Sequence, residues 1–254
     1  MIILKRGDKL PTVAILQSYL NQHPSTHEFL NVDGVFGPRT EGAVSRFRDA
    51  AGIGRGKLVD GEMWERLVGT GWQVIDSVDR SDYNDPKWDT NEHEMLAPFH
   101  QTIVEFFGMS AGTPHVLRTL RKNARPGEVI LLRFHGHGSP GTMVVASGRK
   151  AKSGMAYNFS AGFWKDMAKF RGLFAPIGSI EMHGCRVGLG PKGHKLLLGM
   201  ANAVGVPVSG GNQTQYGGGE SSFRFEGPTT TVCPNGEPLS KWAVRVGSVS
   251  RPTP

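Results

Sequence analysis

The chain of 254 residues holds only two cysteines, Cys185 and Cys233. Two thiols cannot build a disulfide framework, so a small cross-linked scaffold is excluded; a single Cys185–Cys233 bridge stays open, though few features call for such a staple. No apolar run approaches the roughly 18 residues needed to span a bilayer, so no membrane span is expected. The opening Met1-Ile2-Ile3-Leu4-Lys5-Arg6-Gly7-Asp8 has too few apolar residues before its first charges to read as a secretory signal. No basic motif interleaved with aromatics and no helix-turn-helix signature is present, so nucleic acid is not the expected partner. What is present is glycine, 35 residues of it, gathered at loop exits rather than in a repeat. With 38% hydrophobic and 20% charged residues, the composition is that of an ordinary globular protein with room for one large domain or two small ones.

Charge divides the chain into three. Residues 1–72 hold nine basic and eight acidic side chains, residues 73–98 two and seven, and residues 99–254 eighteen and seven. The formal net charge of +7 therefore sits in a basic C-terminal part, net +11, which suits an anionic substrate or a solvated basic surface. Residues 73–98 carry Asp76, Asp79, Asp82, Asp85, Asp89, Glu92 and Glu94 with no apolar periodicity, and read as an acidic, solvated linker. The acids fall every third residue, without the alternating order and closing glutamate of a calcium loop.

Residues 1–72 read as a small three-helix module. Pro11 opens a helix with Val13, Leu16 and Leu20 at helical spacing. An Asp33-Gly34 turn leads through Gly37-Pro38 to a second helix with Ala43, Val44 and Phe47 on one side and Gly52 as its C-cap. Asp60-Gly61 leads to a third with Trp64 and Leu67. The pattern Val13-x-x-Leu16-Gln17-x-x-Leu20, Asp33-Gly34-x-Phe36-Gly37-x-x-Thr40-x-x-Ala43-Val44-x-x-Phe47 and Asp60-Gly61-x-x-Trp64-x-x-Leu67 resembles the peptidoglycan-binding type 1 domain. That resemblance implies peptidoglycan as a partner, its glycan or its stem peptide.

Residues 99–254 alternate strand-like and helix-like stretches, which predicts an α/β domain with a mostly parallel sheet flanked by helices. Strands are expected at Val129–Phe134, Thr142–Ala146, Ile177–Met182 and around Val208, with edge strands at Ser222–Phe225, Thr229–Val232 and Trp242–Val246. Helices are expected at Thr113–Asn123, Ser160–Phe170 and Lys195–Val204, with a helix or extended entry at Pro98–Phe107. Two strands end in chemistry-bearing loops: Val129 to Phe134 runs into His135-Gly136-His137-Gly138-Ser139-Pro140-Gly141, and Ile177 to Met182 into His183-Gly184-Cys185-Arg186-Val187-Gly188. In open α/β sheets, ligands and catalytic groups collect at the C-terminal ends of strands. A thiol needs a nearby imidazole to become a nucleophile, and His137, 48 residues before Cys185, is the candidate. His135 and His183 alternate onto the same faces as His137 and Cys185, so the four form a rival zinc set; an evident general-base glutamate is missing.

The His-Gly-x-x-Gly loop, the Cys-Arg exit and their spacing resemble the caspase-like cysteine peptidases. Caspases carry Q-A-C-[RQG]-G about 50 residues after their histidine. Here His183-Gly184 replaces Gln-Ala and Val187 precedes Gly188, which points to the broader bacterial caspase-like group. The resemblance implies His137 as base, Cys185 as nucleophile, and the amides of Gly138 and Cys185 as oxyanion hole, with no cofactor. Arg133 and Arg186 could then select an acidic side chain, with Asn212, Gln213 and Gln215 shaping the substrate pocket. The expected protein is thus a cell-wall-targeted cysteine peptidase acting on a peptide or protein, made in the bacterial cytoplasm without a Sec signal and delivered by a non-classical route, as an effector or a lysin. The rivals are a wall-binding protein with an inactive caspase-like domain and a zinc hydrolase.

Overall fold

The computed structural model describes residues 1–25, 29–78, 104–108, 113–148, 151–156, 161–216 and 222–247. Three helices come first: α1 (Pro11–Asn21), α2 (Pro38–Ala51) and α3 (Gly61–Val68). Pro11 and Pro38 sit at helix N-termini, where a missing N–H costs nothing, and Gly52 closes α2 in the left-handed conformation. Asp60 caps α3 by accepting the Met63 N–H at 2.9 Å. Its other oxygen receives Arg48, whose guanidinium also donates to the carbonyls of Ile53, Gly54 and Leu58. Buried Gln17 ties α1 to the turn before α2. Its amide nitrogen donates to Asp33, Thr40 and the Val35 carbonyl, and its oxygen accepts the N–H groups of Asp33 and Gly34.

The remaining elements are β1 (Gln73–Val78), β2 (Val104–Gly108), α4 (Thr113–Asn123), β3 (Val129–His135), β4 (Gly138–Ser139), β5 (Thr142–Gly148), β6 (Ala151–Ala156), α5 (Ala161–Met167) with a following 3₁₀ turn, β7 (Phe174–His183), α6 (Gly190–Val204), β8 (Val208–Gly211), β9 (Thr229–Val232) and α7 (Leu239–Gly247). Six strands form one sheet in the order β2-β1-β3-β7-β8-β9, parallel except for β9. The hairpin β4–β5 and strand β6 make a separate antiparallel sheet. The class is therefore α/β with a mostly parallel sheet, as expected.

A mostly parallel sheet needs cover on both faces. One face presents Ile75, Leu132, Phe134, Ile180, Met182 and Val208 to Leu120 of α4, Phe170, and Leu197 and Met200 of α6. The other presents Val74, Leu131 and Ile177 to a core that runs on into Leu4, Leu16, Phe47 and Trp64 of the N-terminal helices and Trp242 of α7. The N-terminal helices and α7 are thus one layer of the fold. They share a core with the sheet rather than hanging from a tether.

Three expectations are corrected here. Residues 73–78 of the expected linker form β1, an interior strand buried along its whole length, and Asp76 has no solvent contact; residues 79–98 lie outside the described residues. Trp242–Val246 is helical. Leu239, Trp242, Ala243 and Val246 recur at helical spacing, and Trp242, Ala243 and Val246 are buried against α1 and β7. The segment at Ser222–Phe225 is irregular rather than a strand, whereas Thr229–Val232 is the antiparallel edge strand expected.

Candidate active site

β3 and β7 are neighbours in parallel, with His135 level with His183. Two residues further on, past both strand ends, come His137, exposed, and Cys185, half-buried. The loops that carry them are packed together through glycine. A Cβ at Gly138 would lie 2.4 Å from Val187 Cγ2, 2.9 Å from the Gly184 carbonyl carbon and 3.0 Å from Cys185 N. Only a residue without a side chain allows that approach.

The hairpin turn Ser139-Pro140-Gly141-Thr142 docks on the same loop. Gly141 has φ +74°, as the third residue of a Pro-Gly turn requires, and its N–H donates to Val187 O at 3.1 Å. Val144 N donates to His137 O at 2.7 Å, and Gly138 stands opposite Met143. By the alternation of an antiparallel ladder, the Gly138 N–H is then turned away from β5. The two amides expected to form an oxyanion hole are neighbours.

Cys185 Sγ accepts the Gln215 N–H at 3.4 Å and donates to Gln215 O at 3.5 Å. Arg186 takes the left-handed conformation, φ +58°, which is uncommon for a non-glycine residue, and its N–H donates to Gln213 O at 2.9 Å. The Arg186 side chain is exposed and lines a cleft of about 380 Å³ with Asn212, Gln213, Thr214 and Tyr216. Cys233 is buried in the core beneath α7, and burial followed by the nearby Glu237 pushes its thiol up to about 12. Both cysteines are free, so the bridge left open by the sequence is absent.

Several expected site residues are engaged elsewhere. Arg133 is 1% exposed. It pairs with Asp76 at 3.2 Å and Glu181 at 3.3 Å and donates to Met1 O at 2.8 Å. It is a structural cation under the N-terminal segment and cannot reach a substrate. Gln215 lends its side chain to the loop: it donates to the carbonyls of Gln213, Thr214 and Glu226 and accepts the Glu226 N–H. Asn212 lines the cleft while its Oδ1 accepts the Thr230 hydroxyl at 3.0 Å.

His135 and His183 direct Nε2 to Asp76 and Glu181, each at 3.0 Å, and His183 stacks on Phe225 with ring centres 4.2 Å apart. Among the described residues no group of three or more His, Cys, Asp and Glu is arranged to hold a metal ion. Burial alone would raise the carboxyl of Asp76, but Arg133 and His135 overcome it and hold it well below the usual range. Glu181 is lowered in the same way, against burial, by His183 and Arg133. Burial, reinforced by His135 and Arg133, outweighs Glu181 and lowers His183.

Sequence reasoning missed Asp76, Glu181 and Glu226. For the first two a signal existed. Arg133-Phe134-His135 and Glu181-Met182-His183 set polar residues at alternate positions in otherwise apolar strands, so each pair shares one face. Buried charges on one face call for partners. No known family model matches this chain, and no curated protein matches it.

Proposed function

We propose that the chain is a caspase-like cysteine hydrolase carrying a peptidoglycan-binding helical module. One observation carries this reading: His137 and Cys185 leave the C-terminal ends of adjacent parallel strands, with Gly138 pressed against the Cys185 amide. In the reaction proposed, His137 takes the thiol proton and Cys185 Sγ attacks a substrate carbonyl. The amides of Gly138 and Cys185 hold the oxyanion. The tetrahedral intermediate collapses to a thioester as His137 protonates the leaving amine, and water then releases the acid and restores the thiol.

The exposed Arg186 guanidinium in the cleft beside Cys185 favours an anionic residue near the scissile bond. A protein cut beside an acidic side chain and the anionic stem peptide of peptidoglycan both meet that requirement. The residues that carry the wall-binding resemblance, Gln17, Asp33, Gly34 and Thr40, are spent on holding the helices together. Wall binding therefore belongs to the outer surface of the module, where Phe29 is 85% exposed.

The test is digestion of a peptide library and of purified sacculi by the wild type and by Cys185→Ala. New cleavage products from the wild type alone are expected, and identical product profiles sink the proposal. Sacculus pelleting that persists in Cys185→Ala would separate the binding role from the catalytic one.

A further inference from the structure

Among the described residues, Cys185 Sγ bonds to Gln215 of the loop after β8, and Gln215 is itself clamped. The Gln215 side-chain amide makes a two-way bond with the Glu226 backbone, its Nε2 donating to Glu226 O at 3.0 Å and its Oε1 accepting Glu226 N–H at 2.9 Å. The Glu226 carboxylate in turn accepts the Tyr216 N–H at 2.8 Å. The Gln215 side chain and the Gln215–Tyr216 peptide that carries the Gln215 carbonyl are thereby fixed, and the Gln215 N–H points at Cys185 Sγ.

The segment that supplies Glu226 is anchored at both ends. Before it, Phe225 stacks on His183, the partner of Glu181, and Arg224 pairs with Asp8 of the N-terminal segment. After it, the Thr229 hydroxyl donates to Lys9 O at 2.8 Å. The Cys185 sulfur is therefore tied, through Gln215 and Glu226, to the layer that carries the N-terminal helices.

We infer that Gln215 is the positioning residue for Cys185, its clamped amide N–H favouring the thiolate over the thiol. A thiol is a weak donor, so the S–H contact to Gln215 O holds the neutral form only loosely. A backbone N–H bonded to a sulfur anion is charge-assisted and stronger. The carbonyl contact is what the thiol gives up on ionising; the amide contact, already present, is what the thiolate strengthens. Glu226 acts one step further back, its backbone holding the Gln215 side chain and its carboxylate holding the next peptide, so that residue 215 is fixed on its C-terminal side. The inference deepens the hydrolase reading, because it concerns the same sulfur, but it is measurable without any substrate.

The experiment is iodoacetamide alkylation of the full chain across pH, read by mass spectrometry on the Cys185 peptide, in the wild type, Gln215→Ala and Glu226→Ala. In Gln215→Ala the half-maximal pH of alkylation is expected to move up by about one unit, which corresponds to about tenfold slower labelling on the acid side. Glu226→Ala keeps the backbone bonds to Gln215 and is expected to move it in the same direction by less. A residue with a purely structural role would lower the melting temperature and leave the pH profile in place. An unchanged profile in folded Gln215→Ala overturns the inference. If that variant does not melt cooperatively, an unchanged profile in Glu226→Ala overturns it instead. Should the profile shift while the wild type cuts nothing, the positioning role stands and the hydrolase reading falls.

Discussion

Asp76 and Arg133 meet across neighbouring parallel strands at 3.2 Å, and neither has appreciable solvent contact. Glu181 stands level with Arg133 on the next strand, so the guanidinium is held between two carboxylates in one register row. Removing the cation leaves two buried anions with one histidine each. Arg133→Met, which keeps most of the volume, is expected to destabilise the chain by about 3–5 kcal/mol in urea unfolding, the cost of leaving a buried charge uncompensated. Arg133→Met combined with Asp76→Asn and Glu181→Gln is expected to recover most of that loss. A single variant as stable as the wild type would show that the row is not an ion network.

The same row sets the response to acid. His183 and Glu181 are both depressed in the folded protein, as is Asp76. A depressed group binds more protons when unfolded, so its contribution is full above its unfolded pKa and is lost as pH falls below it. The unfolded references are 6.5 for His183, 4.5 for Glu181 and 3.8 for Asp76. The Met1 amine, buried beside Arg133, is lowered as well, from 8.0 to about 5. The urea midpoint should therefore be flat above about pH 8, fall below it as the unfolded amine and then the unfolded histidine charge, and fall more steeply below about 4.5. His183 Nδ1 has no hydrogen-bond partner among the described residues, which suits a neutral ring donating through Nε2 to Glu181. His183→Gln should make the fall between about pH 7 and 5.5 shallower, leaving the part the Met1 amine supplies, and keep the lower limb. Identical slopes between pH 7 and 5.5 in both proteins would contradict this account.

Some of this was legible before any coordinates. The aliphatic runs before His135 and His183 announce two interior strands, and their shared grammar implies neighbouring exits. The Asp33-Gly34 and Asp60-Gly61 turns announce the helix starts. Strand β1 was hidden because Gln73, Asp76 and Ser77 make it look polar, and a face that buries an ion row does not alternate in hydrophobicity. The helix at Leu239–Gly247 was hidden because a short apolar stretch fits either period. Arg133 was misjudged because its partners come from β1 and β7, distant in sequence. Gln215 was recognised as close to the site, but its action runs through a main-chain N–H, which no side-chain pattern encodes.

Gln17 tests whether the N-terminal helices and the sheet are one folding unit. Its side chain holds five hydrogen bonds at 2% exposure, and the core around it continues into Leu131 and Ile177 of the sheet. Gln17→Ala leaves several buried groups unpaired, each costing about 1–3 kcal/mol. Because the core is continuous, the whole chain is expected to melt in one transition by calorimetry, shifted down as a unit in the variant. Two separate transitions, with only the first moved by Gln17→Ala, would mean that the helices form an independent domain after all.

Gly138 tests the joining of the two loops. A methyl at that position would be 2.4 Å from Val187 Cγ2, which a side chain can yield, and 2.9 Å from the Gly184 carbonyl carbon, which backbone cannot. Gly138→Ala should therefore force the His137 loop away from Cys185, at an overpacking cost of about 1–3 kcal/mol. Val187 is wholly buried, so Val187→Ala alone opens a cavity and destabilises on its own account. Combined with Gly138→Ala, it relieves the first clash and leaves the second. The double variant is therefore expected to regain stability relative to the sum of the two single changes, while its rate against any substrate cut by the wild type stays low. Recovery of the full rate in the double variant would show that the packing of Gly138 on the 184–185 peptide is unimportant for the chemistry, and that Val187 alone sets the spacing of the loops.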